Sequence, residues 1–280
     1  MKISSCIFIF ALFSFSTLFA KTIVKRDVPY LNTHGDTRNL LDIYYPSNTE
    51  ETKDVLVFIH GGSWDSGKKE TYWWLGRNMA DKNVVTVIIN YSLSPEAQYE
   101  EMASDCASAL KWVGDSIAVF GGALDRIFVM GHSAGGHLAA LINNDQRFFN
   151  VIGIPNPIKA VILNDGFGLD MFEYLKVAEQ NERTESFLNT FSEDEQVWKK
   201  ASPMYYLQNV HSPFLIFVGE RTYKAIKIQS DELFKSLSST HKPVELYVIK
   251  GKRHVGMISQ MIFRNNEMYD RILDFMHKYD

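Results

Sequence analysis

A sharp turn between a strand-like run and a helix-like run is the feature that most constrains this chain. Residues 127–130 are apolar, the sequence G-H-S-A-G follows at 131–135, and helix-forming residues continue to 141. In the pattern G-x-S-x-G a strand turns into a helix and presents the serine above a sheet, while the glycines let the backbones approach closely. The pattern predicts an α/β fold in which Ser133 is presented as a nucleophile.

Strand-like and helix-like runs alternate along most of the chain. Apolar strand-like runs occur at 55–59, 84–89, 127–130, 158–163, 214–218 and 244–249, and helix-like runs occur near 69–80, 98–113, 134–143, 225–238 and 257–278. Such alternation is typical of a mostly parallel sheet flanked by helices on both faces. The runs 24–28 and 41–45 are expected to form a leading hairpin at one edge of that sheet.

One interval, residues 166–205, does not fit this alternation. It contains several aromatic residues among many charges, and it is too long for a simple connection between two strands. We expect a small cap inserted between the sixth and seventh strands, which covers the mouth of the active site. A longer than usual crossover helix packed on the core is the alternative.

The N-terminus has the pattern of a secretory signal peptide. A short positive start is followed by a mostly apolar run at 7–18 and by Ala20, a small residue, before Lys21. The run is shorter than the roughly 20 apolar residues of a membrane span. We therefore predict a signal peptide at 1–20 and one secreted or periplasmic domain at 21–280, without a stable membrane span in the mature chain. Retention of the segment as an N-terminal anchor is the alternative.

The overall composition limits the class of partner. The chain is 46% hydrophobic and 22% charged, with a formal net charge of −4 at pH 7. These values are typical of a soluble globular protein, and the absence of a basic stripe argues against a nucleic-acid partner. The composition does not determine the oligomeric state.

A glycine-rich segment follows the apolar strand-like run at 55–59. The sequence H-G-G-S-W at 60–64 predicts a tight turn whose backbone N–H groups, from Gly62 and Ser63, point at an oxyanion together with the N–H of Ala134. Residues 62–68 also nearly match a phosphate-binding loop, but Lys69 replaces the hydroxyl residue that holds magnesium. We therefore predict that the protein binds no nucleotide. The sequence contains neither of the metal-binding motifs H-E-x-x-H and C-x-x-C, so we expect no metal site and no other cofactor.

His254 is the candidate general base. It follows the last strand-like run, 244–249, within the loop sequence K-G-K-R-H. Because the carboxyl ends of parallel strands lie at one edge of a sheet, His254 and Ser133 are expected on the same side.

Together these motifs resemble the α/β-hydrolase superfamily, and within it the carboxylesterases with an H-G-G-x-W motif. That group includes the kynurenine-formamidase-like and hormone-sensitive-lipase-like esterases. The sequence N-Y-S-L-S-P-E at 90–96 is similar to a further segment of the family. The resemblance implies a carboxylesterase-type serine hydrolase that cleaves a small or medium carboxylic ester through an acyl-enzyme on Ser133. Arylformamidase-type amide hydrolysis is the alternative with the nearest chemistry.

The acidic partner of the histidine departs from the family pattern. The family has an aspartate in the sequence G-x-x-D after the seventh strand, and here that position is Thr222. Glu220 at the end of the strand is the first candidate for the acid, and Asp165 after the sixth strand is the second. The third alternative is a Ser133–His254 pair without an acid, which makes a hydrolase-like binding protein with weak or no turnover a further hypothesis.

Overall fold

The computed structural model describes residues 21–31, 38–48 and 51–279. The predicted signal peptide, residues 1–20, lies outside the described residues. Within the described ranges, no helix is both long enough and apolar enough to span a membrane.

An eight-stranded sheet forms the centre of the domain, with the spatial order β1-β2-β4-β3-β5-β6-β7-β8. The β1–β2 and β2–β4 pairs are antiparallel, and the other pairs are parallel. The predicted mostly parallel sheet and the leading hairpin at its edge are therefore confirmed. The strands are β1 (Thr22–Pro29), β2 (Leu40–Pro46), β3 (Lys53–Ile59), β4 (Val85–Ile89), β5 (Gly122–His132), β6 (Ile158–Asn164), β7 (Phe214–Gly219) and β8 (Val244–Ile249).

Helices connect the strands and cover both faces of the sheet. Two predicted helices are interrupted: 69–80 starts as a 3-10 turn, and 257–278 is divided by a 3-10 turn and residues 263–266. The helices are α1 (Trp73–Ala80), α2 (Tyr99–Ser116), α3 (Ala134–Asn144), α4 (Arg147–Val151), α5 (Met171–Val177), α6 (Glu182–Phe191), α7 (Glu195–Lys200), α8 (Lys224–Ser239), α9 (His254–Ser259) and α10 (Glu267–Lys278).

Strand β3 illustrates how the sheet is buried on both faces. Successive side chains of a strand point to opposite faces, and every residue of β3 is buried. Val57 belongs to the cluster that includes α2, α3 and α8, whereas Phe58 belongs to the cluster that includes α1, α9 and α10. This double coverage explains why the strands are continuously apolar in sequence.

The interval between β6 and β7 contains three short helices in place of one long crossover helix. Asp170, Asn181 and Asp194 precede α5, α6 and α7, and the side chain of each accepts a hydrogen bond from a backbone N–H of the following turn. Such N-caps satisfy donors at a helix start that have no partner within the helix. The interval therefore consists of short helices with capped starts, whose buried side chains join the main core cluster.

Candidate active site

The turn at Ser133 requires the two glycines around it. Ser133 connects β5 to α3 with φ 54° and ψ −122°, a backbone region that residues with a side chain rarely adopt. A Cβ atom at Gly131 would lie 2.1 Å from the carbonyl oxygen of Gly135, and one at Gly135 would lie 2.1 Å from the carbonyl oxygen of Ile59. Larger residues would push β5 and α3 apart, or α3 away from β3, and would move the Ser133 hydroxyl.

Three side chains at the carboxyl edge of the sheet form a continuous hydrogen-bonded series. Ser133 follows β5, Asp165 follows β6, and His254 is the first residue of α9 after β8. The Oγ of Ser133 lies 2.8 Å from Nε2 of His254, and Nδ1 of His254 lies 2.6 Å from Oδ2 of Asp165. An ionised carboxylate accepts hydrogen bonds only, so Nδ1 carries the proton and Nε2 accepts from the Ser133 hydroxyl. This tautomer suits a histidine that takes a proton from serine.

The Asp165 carboxylate is fully buried and held by donors from the neighbouring strand end. The backbone N–H of Gly219 donates to Oδ1 at 2.8 Å, and the Thr222 hydroxyl donates to Oδ2. Both donors fix the orientation of the carboxylate toward His254. Thr222, which occupies the family's usual acid position, therefore contacts the acid without supplying it.

Glu220, the first sequence candidate for the acid, is not in contact with His254, and that prediction is corrected. Its carboxylate is exposed, and Oε2 accepts a hydrogen bond from the backbone N–H of Gly251 at 2.6 Å. The side chain therefore extends along the β8–α9 loop, away from the imidazole. Asp165 occupies the acid position because the ends of β6 and β7 are adjacent in the sheet.

Replacement of Thr222 by valine is expected to lower kcat by about tenfold, because Asp165 loses one donor and the valine methyl group crowds its carboxylate. The measurement is kcat for a short-chain ester, compared with Thr222→Ser as the control that keeps the hydroxyl. A Thr222→Val enzyme with the wild-type kcat would contradict a role for this hydrogen bond.

The loop after β3 brings unpaired backbone donors to the serine. Gly62, Ser63 and Trp64 have φ values of 132°, 52° and 64°, so the chain turns sharply. Across the ranges that the structure describes, the backbone N–H groups of Gly62, Ser63 and Ala134 donate no hydrogen bond to protein. Gly62 and Ser63 line a cleft of about 300 Å³ together with Ser133 and His254. The N–H of Ala134, the third predicted oxyanion donor, begins α3 directly after the serine.

Trp64 links this loop to the interval between β6 and β7. Its indole is fully buried, and its ring centroid lies 5.3 Å and 4.8 Å from those of Phe187 and Phe191 on α6, both edge to face. The indole N–H donates to Nδ1 of His137 at 3.2 Å, and Nε2 of His137 donates to the carbonyl oxygen of Ala201 at 2.7 Å. The sequence left a packing role and a pocket-wall role open for Trp64, and it did not specify the partners on α6.

Three histidines near the site are buried and neutral. Burial lowers the pKa of His60 and His137 to about 4, and burial together with nearby His254 lowers the pKa of His132 to about 3. The His132 ring stacks on that of His254 at 5.0 Å between centroids, which limits its rotation. These side chains support the loop and the imidazole, and none of them contacts the Ser133 hydroxyl.

Acidification is expected to destabilise the fold between about pH 6.5 and pH 4. In this window the unfolded chain protonates each of these histidines and the folded chain does not, so the free energy of unfolding falls as pH falls. The loss is roughly 2 kcal/mol per histidine at pH 4.5. Urea unfolding at pH 7 and pH 4.5 measures it, and His60→Gln should reduce the difference. A free energy of unfolding that does not change over this window would contradict the buried neutral state.

Within the described residues, no group of three or more His, Cys, Asp or Glu side chains is arranged to hold a metal ion. The unpaired donors near Ser133 are backbone amides, which suit an anionic oxygen rather than a cation.

The eight-stranded sheet and the serine at its strand–helix turn define an α/β-hydrolase. The BD-FAE family model matches residues 41–237, and the chain belongs to this family. It is 28% identical to an isoprenylcysteine alpha-carbonyl methylesterase of Arabidopsis thaliana, covering 95% of this chain and 65% of the relative. It is 25% identical to a kynurenine formamidase of Salmo salar, covering 92% and 83%. The chain thus spans just under two thirds of the length of the first curated relative that it matches.

Solved structures support the fold. A truncated carbohydrate esterase from gut microbiota superposes with a TM-score of 0.79 at 18% identity, over 93% of this chain and 97% of that one. The predicted α/β-hydrolase fold, a mostly parallel sheet flanked by helices, is therefore confirmed.

Proposed function

We propose that this protein is a serine esterase that hydrolyses a small or medium carboxylic ester through a covalent acyl-enzyme. The hydrogen-bonded series Ser133–His254–Asp165 is the observation that carries the proposal. The relatives named as esterases support the same chemistry.

Acylation begins at Ser133. Its Oγ attacks the acyl carbon while Nε2 of His254 takes the hydroxyl proton, and Asp165 stabilises the resulting imidazolium. The carbonyl oxygen becomes an oxyanion, which the N–H groups of Gly62, Ser63 and Ala134 bind. When the intermediate collapses, the bond to the alcohol oxygen breaks and His254 protonates the leaving alcohol.

Deacylation repeats these steps with water as the nucleophile. His254 takes a proton from water, the hydroxide attacks the acyl carbon, and a second oxyanion forms in the same place. Its collapse breaks the bond to Ser133, which recovers its proton from His254, and the carboxylic acid is released.

Labelling with a fluorophosphonate tests the nucleophile and the predicted export together. We expect the probe to react with protein from the secreted or periplasmic fraction, mass spectrometry to locate the adduct on Ser133, and labelling to abolish hydrolysis of para-nitrophenyl acetate and butyrate. A folded protein that neither reacts with the probe nor hydrolyses these esters would contradict the proposal.

Arylformamide hydrolysis is a second candidate function, which the kynurenine formamidase relative favours. The chemistry differs only in the leaving group, because His254 must then protonate an amine nitrogen. The ratio of kcat/KM for phenyl formate to that for formanilide separates the two candidates. A ratio below one would favour the formamidase.

The alternative of a hydrolase-like binding protein with weak or no turnover assumed that His254 has no acidic partner. A buried carboxylate at 2.6 Å from Nδ1 of His254 removes that argument.

The segment 166–205 is proposed as a cap over the mouth of the active site. The backbone N–H of Phe167 donates to the carbonyl oxygen of Ser133 at 3.1 Å, and α6 packs on Trp64 of the oxyanion loop. These contacts support a cap whose α6 forms one side of the substrate path. The test of Arg183 below also tests this arrangement, because Arg183 lies on α6.

A further inference from the structure

Basic residues are concentrated in the segments that follow β7 and β8, close in sequence to Tyr223 and His254, in a protein whose net charge is negative. The loops after β7 and β8 contain one carboxylate, that of Glu220, within 219–227 and 250–254, and the rest of the formal charge there is positive. In the part of the chain that the structure describes, none of the basic residues of these loops forms an ion pair. We define the basic rim as Arg221, Lys224, Lys227, Lys250, Lys252 and Arg253.

Arg183 on α6 adds a positioned cation on the same side of the site. Its guanidinium carbon lies 5.0 Å from the centroid of the Tyr223 ring, and the centroid of that ring lies 5.1 Å from the centroid of the His254 ring. The guanidinium also lies 5.7 Å and 5.5 Å from the ring centroids of Phe167 and Phe187. Three aromatic rings therefore contact the Arg183 guanidinium, and one of them, that of Tyr223, also contacts the His254 ring.

Aromatic contacts hold this cation without neutralising it. A guanidinium over a ring is attracted to the ring face, but its charge is not cancelled as it is by a carboxylate. Glu182 and Glu185 are close to Arg183 in sequence, yet across the described ranges no carboxylate forms an ion pair with it. The side chain is exposed, so its donors are accessible to a ligand.

Arg183 is connected to the Ser133 site through two of the aromatic residues that it contacts. Phe167, whose ring it contacts, donates its backbone N–H to the carbonyl oxygen of Ser133, and Tyr223 contacts the imidazole that binds the Ser133 hydroxyl. A substrate that extends from Ser133 over Tyr223 would bring its distal end to the guanidinium. The planar donors of arginine match a carboxylate at two points.

We propose that Arg183 is a specificity-determining residue that binds a carboxylate carried by the ester substrate, and that the basic rim attracts this anion to the site. The substrate class is an ester with a free carboxylate on its acyl or alcohol part, such as a monoester of a dicarboxylic acid. The proposal rests on the proposed esterase function. The rim acts at a distance, because like charges around a cleft raise the local concentration of an oppositely charged ligand.

The test compares matched anionic and neutral esters. For the acyl part, the pair is the phenyl monoester of glutaric acid and its terminal amide; for the alcohol part, it is para-acetoxybenzoate and para-acetoxybenzamide. We expect the ratio of kcat/KM for the anionic ester to that for the neutral ester to fall about tenfold in Arg183→Gln, mainly through KM, in at least one pair. Arg183→Lys should recover part of the ratio, because it keeps the charge but loses the two-point contact.

Lys25→Gln is the control, because Lys25 is an exposed cation on β1 at the far edge of the sheet. The Lys25→Gln substitution should leave kcat/KM unchanged for both esters of each pair. Raising the ionic strength from about 0.01 M to about 1 M shortens the Debye length from about 30 Å to about 3 Å, and should lower kcat/KM for the anionic ester selectively. If the Arg183→Gln substitution only disturbed the structure, kcat/KM would change equally for both esters of a pair, and this change would not depend on salt.

An Arg183→Gln ratio equal to that of wild type in both pairs overturns the proposal. If the neutral esters are not hydrolysed, the esterase function itself has failed, and the subsite is then measured by calorimetric titration with glutarate. Binding that Arg183→Gln weakens about tenfold supports the subsite without the esterase function. Equal binding, or no binding to wild type, overturns it.

Discussion

Replacement of Ser133 by alanine is expected to lower kcat for short-chain esters by about 10⁴-fold or more, because no other group can form the acyl-enzyme. The hydroxyl is 2.8 Å from the imidazole and sits on a turn that keeps it above the sheet. The oxyanion donors remain in the variant, so a small residual rate over uncatalysed hydrolysis is expected. The measurement is kcat for para-nitrophenyl butyrate under saturating conditions.

Ser104→Ala is the matched control for that variant. Ser104 is an exposed serine on α2 whose hydroxyl donates to the carbonyl oxygen of Glu100, so its loss should leave kcat unchanged. Both variants should unfold cooperatively at temperatures close to that of wild type. A folded Ser133→Ala protein that keeps more than a few per cent of the wild-type kcat would exclude Ser133 as the nucleophile.

Replacement of Asp165 by asparagine is expected to lower kcat by about 10⁴-fold with little change in the fold. The asparagine amide can donate to Nδ1 of His254, which moves the imidazole proton to Nε2. Nε2 then cannot accept the proton of Ser133. The carboxylate that stabilises the imidazolium is lost in the same substitution, so both contributions of the acid disappear together.

Glu220→Gln separates the two candidate acids. The Glu220 carboxylate is exposed and accepts from Gly251, so its neutralisation should change kcat by less than about twofold, as is usual for a surface charge outside a special contact. The pair of variants is measured with one ester over a range of pH. A large loss in Glu220→Gln with an active Asp165→Asn would reverse the assignment that the structure makes.

Much of the architecture follows from sequence because its signals are local. The apolar runs of β3, β5, β6 and β7 are continuous and bounded by turn residues, so strand type and sheet burial can be predicted without tertiary information. Five residues specify the turn at Ser133, because neither Gly131 nor Gly135 has room for a Cβ atom. His254 comes five residues after the end of the last strand, and its side of the sheet is set by the parallel direction of the strands.

The acid was not predictable in the same way because it depends on which strands are neighbours. A spacing rule counted from Gly219 leads to Thr222, and it contains no information about the end of β6. In the sheet, the backbone N–H of Asp165 donates to the carbonyl oxygen of Phe217 on β7 at 2.8 Å, which brings the carboxylate beside Thr222. The available signal was a carboxylate directly after a buried strand, together with a hydroxyl in the usual acid position.

The contacts of Arg183 were also not predictable, because they depend on which segments are neighbours in the folded chain. They join α6 to the β7–α8 loop through Tyr223, two segments about 40 residues apart whose relative position no local pattern specifies. The break between α9 and α10 has a local signal instead, since the Asn266 side chain caps the second helix by accepting from the backbone N–H of Met268.

The acid supplied from β6 has an evolutionary consequence for the loop after β7. That loop provides only a hydroxyl and one backbone N–H to the carboxylate, from Thr222 and Gly219. Its other surface positions, such as Arg221 and Tyr223, can mutate without removing the carboxylate of Asp165. Natural variation in this loop can therefore change the surface beside the site while Asp165, which follows the neighbouring strand β6, is retained.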